Sequence, residues 1–185
     1  MSSTRTRKII ITGVLGAISV LLSFTPLGLI TWFAGISMTT LHVPVIIGAI
    51  LEGPWVGAGV GLIFGISSML QAAIMPRNPS DAWFTNPLLS VLPRLFIGPV
   101  TWLVYRALER RRVPAIIAAG IAGSLTNTVL VLGVIGLQKL VPWEVIGTIG
   151  VTNGLPEAAL AAVLTLAVVA AWQRIEVGKK KGADL

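Results

Sequence analysis

Arg94 stands within an otherwise apolar stretch, Asn86-Pro-Leu-Leu-Ser-Val-Leu-Pro-Arg-Leu-Phe-Ile-Gly-Pro-Val-Thr-Trp102. A guanidinium cannot shed its proton, and holding it at membrane depth costs at least ~2.5 to 3.5 kcal/mol even on the lenient insertion scale. A polar cavity inside a helix bundle offsets that cost. There the arginine meets either a partner side chain or an anionic group brought in from outside. Its planar fork suits a carboxylate, which it can hold through two parallel hydrogen bonds.

Three further polar residues fall at similar depth. Measured from the outer end of each span at ~1.5 Å per residue, Arg94 lies about 10 Å in, Asn153 and Glu157 about 6 and 12 Å, and Asn127 about 16 Å. Asn153 and Glu157 are four apart and share a helical face. All four converge on one outward-opening pocket if their helices are neighbours. Glu157 is either the ion-pair partner of Arg94 or part of a ligand site, and the two roles can coexist. Asn127 and Asn153 read equally as interhelical hydrogen bonds or as ligand contacts. His42 reads as a packing residue or a ligand group, and Asn86 and Trp83 complete the candidate substrate-binding set. Trp32, Phe33, Trp83, Phe84 and Trp143 read as interfacial belt or as covers of an entrance.

The elements that must position these residues follow from composition. The chain has 185 residues, 55% of them hydrophobic and 11% charged, with a mean hydropathy of +0.89; soluble domains carry roughly 25% charged residues. The expected fold is an all-α integral membrane protein, a single domain over 1–185. At about 20 apolar residues per span, six transmembrane helices are expected at about 8–30, 38–51, 55–75, 87–108, 114–138 and 149–173. A secretory leader has the same layout as the first span, but the long apolar run and the spans after it favour a retained helix. Eleven of the 14 lysines and arginines fall in the N-terminal segment, the 106–112 loop and the C-terminal tail. With six spans these lie on one side, and positive-inside bias makes that side, with both termini, cytoplasmic.

Several chemistries are excluded. There is no cysteine and one histidine, which removes thiolate catalysis and makes a metal centre improbable. The net charge of +7 is gathered in three short clusters, a pattern of membrane orientation rather than of nucleic-acid binding. No glycine-rich loop ends in Lys-Ser or Lys-Thr, so no P-loop nucleotide is expected. An intramembrane enzyme needs paired acids, a metal or an activated nucleophile, and the spans offer one glutamate. A stand-alone ion-coupled carrier is expected to carry inverted repeats, and the two halves of the chain show no such symmetry. Pro87, Pro93, Pro99 and Pro156 free backbone groups near the polar residues, which favours a cavity. Gly57, Gly61 and Gly65 make one flat groove, and Gly13 and Ala17, with Gly16 beside them, a second. Two such faces in so small a bundle suggest a membrane partner.

Leu41-His-Val-Pro-Val-Ile-Ile-Gly-Ala-Ile-Leu-Glu-Gly-Pro54, the glycine-rich third span, and Asn86-Pro87 followed by Val91-Leu-Pro-Arg94 resemble the substrate-binding S components of energy-coupling factor (ECF) vitamin transporters. The likeness covers the whole chain, and His-Val-Pro and Leu-Pro-Arg point to the subgroup that includes pantothenate and folate carriers. It implies a non-catalytic, six-helix subunit without a cofactor, in the cell membrane of a prokaryote, which binds one vitamin near the outer surface. Its implied partners are a transmembrane coupling protein and two ATPases. The segments at about 25–38 and 75–86 correspond to the family's substrate-covering loops. Gly13 and Ala17 correspond to its docking face, with glycine replacing one of the usual alanines. Pantothenate is the first choice of cargo, its carboxylate on Arg94 and its hydroxyl and amide groups on Asn127 and Asn153. Folate, which asks for more aromatic surface, cobalamin and queuosine precursors are the alternatives.

Overall fold

A computed structural model describes residues 2–31 and 37–173. Turns aside, the described residues are helical except for one small hairpin. Helix α1 (Ser2–Phe24) leads through a short turn to strands β1 (Leu29–Thr31) and β2 (Ser37–Thr39), and then to α2 (Val43–Glu52) and α3 (Pro54–Ile74). A 3-10 segment, Pro79–Thr85, precedes α4 (Pro87–Ser90) and α5 (Leu92–Leu108); α6 (Arg112–Leu137), α7 (Trp143–Thr152) and α8 (Gly154–Gln173) follow. The strands pair antiparallel, with Leu29 opposite Thr39 and Thr31 opposite Ser37.

Five helical stretches among the described residues are long and apolar enough to cross a membrane: Arg5–Phe24, Pro54–Ile74, Pro87–Leu108, Arg112–Leu137 and Trp143–Gln173. The stretch expected as a second full span is shorter than 38–51. Its first residues belong to β2 and a turn, and Pro44 sits in the opening turn of α2, where its missing N–H costs nothing. At ~1.5 Å per residue α2 is about 15 Å long, half of a hydrocarbon core. Every residue from Val43 to Ile50 is buried, so α2 is an inner helix, apolar all round because it faces protein on all sides. Around it Val45, Ile46, Val60, Phe64, Ile97 and Ile116 form the main core.

Prolines divide the two composite spans. Pro93 lacks an N–H and would crowd the carbonyl of Leu89, four residues back, and the helix is interrupted at Val91. Pro156 stands in the same relation to Thr152, and α7 gives way to α8 at Asn153. The last span therefore starts at Trp143, after Pro142, rather than at 149, and the gap between the expected spans 114–138 and 149–173 shrinks to a turn at Gln138–Pro142 in which Lys139 has φ 56°.

The glycines of α3 bring two backbones together. A Cβ on Gly57 would lie 2.8 Å from the Cα of Gly98, one on Gly65 would lie 2.8 Å from the Cα of Val91, and one on Gly61 would strike the carbonyl of Arg94. This groove is filled by α5 of the same chain, the close helix neighbour expected of such a face. Gly16, expected beside the docking face, is buried, and a Cβ there would meet the side chain of Ile63 on α3. Gly13 and Ala17 are exposed, and a Cβ on Gly13 would touch nothing within 4 Å.

Candidate functional site

Because α2 is short and its neighbours are long, the bundle is hollow beyond the N-terminal end of α2. A cavity of about 490 Å³ opens there, within the roughly 300–1,000 Å³ usual for small-molecule sites. Arg94 of α5, Asn127 and Thr128 of α6, Asn153 between α7 and α8, and Glu157 of α8 supply its polar lining, with Thr39 and Ser80. Phe64, Trp83 and Phe84 form an aromatic side. Val131, Leu132 and Ile135 of α6 face Val145 and Ile149 of α7 across an apolar wall.

Arg94 is 4% exposed. Its Nη1 donates to the carbonyl of Leu89, the acceptor that Pro93 leaves without a helical partner. The Pro-Arg pair thus makes its own anchor: the proline frees a carbonyl and the next side chain takes it. The guanidinium carbon lies 5.2 Å from the Phe64 ring centre and 5.4 Å from that of Phe84, both within cation–π range. Nε is buried and has no hydrogen-bond partner among the described residues. The expected pairing with Glu157 is not formed. The ion pairs among the described residues are Arg7 with Glu52 at 2.6 Å and Arg106 with Glu109 at 2.7 Å. Glu157 instead accepts from the backbone N–H of Thr39 at 2.7 Å, tying β2 to α8. The Asn127 Oδ1 is buried and has no hydrogen-bond partner among the described residues, so the interhelical hydrogen bond that one reading expected of it is not formed there.

Of the seven substrate-site candidates, Arg94, Asn127, Asn153, Glu157 and Trp83 line the cavity together. His42 does not. Its ring is fully buried at the start of α2, with neither nitrogen bonded to any described residue, while the preceding Leu41 takes the cavity-facing position. Asn86 is exposed, and its Oδ1 accepts from Leu88 N–H at 2.9 Å, capping α4. Trp143 is exposed and covers Gly136; Trp32 and Phe33 lie outside the described residues. Phe64 escaped the sequence reading because a lone aromatic between two glycines looks like packing. Val145 escaped because it falls between the expected spans 114–138 and 149–173, although its apolar spacing is visible, and Ile149 because it opens the expected last span with nothing to tell it from a packing residue.

Two connections wall the end of the bundle that holds the cavity. The Thr40 N–H donates to the Gly28 carbonyl at 3.1 Å, closing the base of the hairpin. The Arg77 Nη2 donates to the carbonyls of Ser23 at 2.8 Å and Thr25 at 3.3 Å, lacing the 75–86 connection to the end of α1. The Ser90 hydroxyl donates to the carbonyl of Phe84 and holds that ring's segment against α4.

A helical bundle with several membrane-length helices and a partly open hollow bearing a buried cation suits a membrane protein that captures a small solute. Residues 7–169 match the family described as "ECF transporter, substrate-specific component", and the chain belongs to it. It is a substrate-binding transport subunit, not an enzyme. Among similar proteins, the pantothenic acid transporter PanT of Lactococcus lactis subsp. cremoris is 32% identical over 191 residues, covering 92% of this chain and 96% of that one. The pantothenate transporter PanT of Leuconostoc mesenteroides subsp. mesenteroides is 27% identical over 148 residues, 76% of this chain and 72% of that one.

Proposed function

We propose that this chain is the pantothenate-binding S component of an ECF-type importer. One observation carries the reading: a buried arginine with no described acid in ion-pair range opens onto a cavity of small-molecule size. The carboxylate of pantothenate provides the missing anion and accepts from the Arg94 fork. Asn127 Oδ1, unpaired among the described residues, accepts from an amide N–H or hydroxyl of the cargo, and Asn153 and Glu157 serve its hydroxyl end. The wall formed by α6 and α7 packs on its methyl groups, and Trp83 bounds the entrance. The names of the two relatives support this choice of cargo.

The same reading makes α2 the sixth, short membrane helix and sets both termini in the cytoplasm of a prokaryotic cell, in accord with the clustering of eleven of 14 basic residues. Gly13 and Ala17, exposed on α1, face a separate coupling protein, and two ATPases supply the energy. Calorimetric titration of the purified chain with a panel of B vitamins tests the cargo. Saturable binding of pantothenate alone is expected; binding of folate or cobalamin with no response to pantothenate would sink the assignment.

A further inference from the structure

At the end of the bundle away from the cavity, a groove of about 740 Å³ runs between the end of α5, the start of α6 and the end of α8. Tyr105, Glu109, Arg110, Arg112, Trp172 and Gln173 line it. Glu109 is already bound to Arg106 at 2.7 Å, which neutralises the acid beside the groove. Arg110 and Arg112 are exposed and have no ion pair with any described residue. Trp172 is 59% exposed, and Tyr105 is half-buried against the main core. Tryptophan and tyrosine at the end of an apolar span mark headgroup depth, and basic pockets between helix ends at that depth suit lipid phosphates.

We propose that this groove binds the phosphate of an anionic phospholipid headgroup, Arg110 and Arg112 pairing with it while Tyr105 and Trp172 border the glycerol region. The site is independent of the cargo reading, because Arg112 opens α6 and Asn127 lies some four turns further along, about 22 Å away at ~1.5 Å per residue. Arg111, between the two groove arginines in sequence, does not line the groove. It therefore separates a shaped site from a general attraction of positive charge.

Native mass spectrometry of the full-length chain, mixed in detergent with phosphatidylglycerol or phosphatidylcholine, reads the retained lipid. Phosphatidylglycerol should be held in preference, and Arg110→Ser or Arg112→Ser should each weaken retention about fivefold. Arg111→Ser should change it less than twofold, and all three variants should bind pantothenate as the parent does, which also reports that they fold. Equal retention of the two lipids, or an Arg111→Ser loss matching the groove variants, overturns the proposal. Displacement of phosphatidylglycerol by an equal concentration of inorganic phosphate overturns the lipid assignment and leaves a free-phosphate site.

Discussion

Replacing Arg94 by alanine separates a ligand-binding arginine from a bracing one. In the variant a cargo carboxylate would enter the cavity without a counter-charge, and breaking a buried, hydrogen-bonded charge pair costs about 2–5 kcal/mol. At 1.4 kcal/mol per factor of ten, affinity should fall by about 30-fold to several thousand-fold. A second effect runs alongside. Leu89 loses the donor that Arg94 supplies to its carbonyl, and an unsatisfied buried acceptor costs about 1–3 kcal/mol of stability. Calorimetry with pantothenate measures the first effect and thermal unfolding the second. Pantothenol, the neutral alcohol analogue, distinguishes charge pairing from shape: parent and Arg94→Ala should bind it with similar, weak affinity. If the variant loses as much affinity for the alcohol as for the acid, Arg94 acts by holding the cavity walls and the reasoning fails.

Glu157→Gln should leave Thr39 bonded to a neutral acceptor instead of a carboxylate; faster hydrogen exchange at the Thr39 amide is expected, and unchanged protection would show that the hairpin is held elsewhere. Gly61→Ala should lower the unfolding temperature sharply, since its Cβ would strike the Arg94 carbonyl, whereas Gly13→Ala meets nothing within 4 Å and should shift it little. Equal melting of the two variants would count against the close α3–α5 approach. Ala17→Leu, on the exposed side of α1, should weaken co-purification with a coupling protein and leave pantothenate binding intact; normal assembly would remove α1 from the docking surface.

The polar residues were legible in the sequence wherever burial made them expensive. Arg94, Asn127, Asn153 and Glu157 stand out against an apolar background, and helix rise alone sets them at comparable depth; the structure brings them to one cavity. What each residue bonds was not legible. Asn86 looked like a binding residue beside the Arg94 motif, yet one hydrogen bond to Leu88 uses it as a helix cap. Glu157 was the evident acid for Arg94, but the hairpin reaches it through a backbone N–H, and nothing in a hydropathy pattern announces a main-chain donor. Gly16 and Gly13 are chemically identical and three residues apart. Only the position of Ile63 decides which of them faces inward.

The least visible feature, the length of α2, creates the site. Hydropathy registers an apolar run without saying whether lipid or protein surrounds it, so 38–51 reads as one more span. A full-length helix in that central position would carry its N-terminal turns into the space beside Arg94 and Asn127. Ending it at Val43 leaves that space unfilled, and the chain above it folds into β1, β2 and a turn whose Thr39 and Leu41 line the hollow. Irregular backbone at such depth survives only where protein encloses it or a cavity hydrates it. Here Glu157 satisfies Thr39 N–H, and the carbonyl of Gly28 satisfies Thr40 N–H. The same logic holds on the facing spans: Pro93 and Pro156 interrupt helices at the level of the hollow, and Arg94 takes one of the carbonyls so exposed. Short helix, proline breaks and an arginine without an ion-pair partner among the described residues are therefore parts of one arrangement, a largely apolar hollow of small-molecule size with a few polar groups gathered at it.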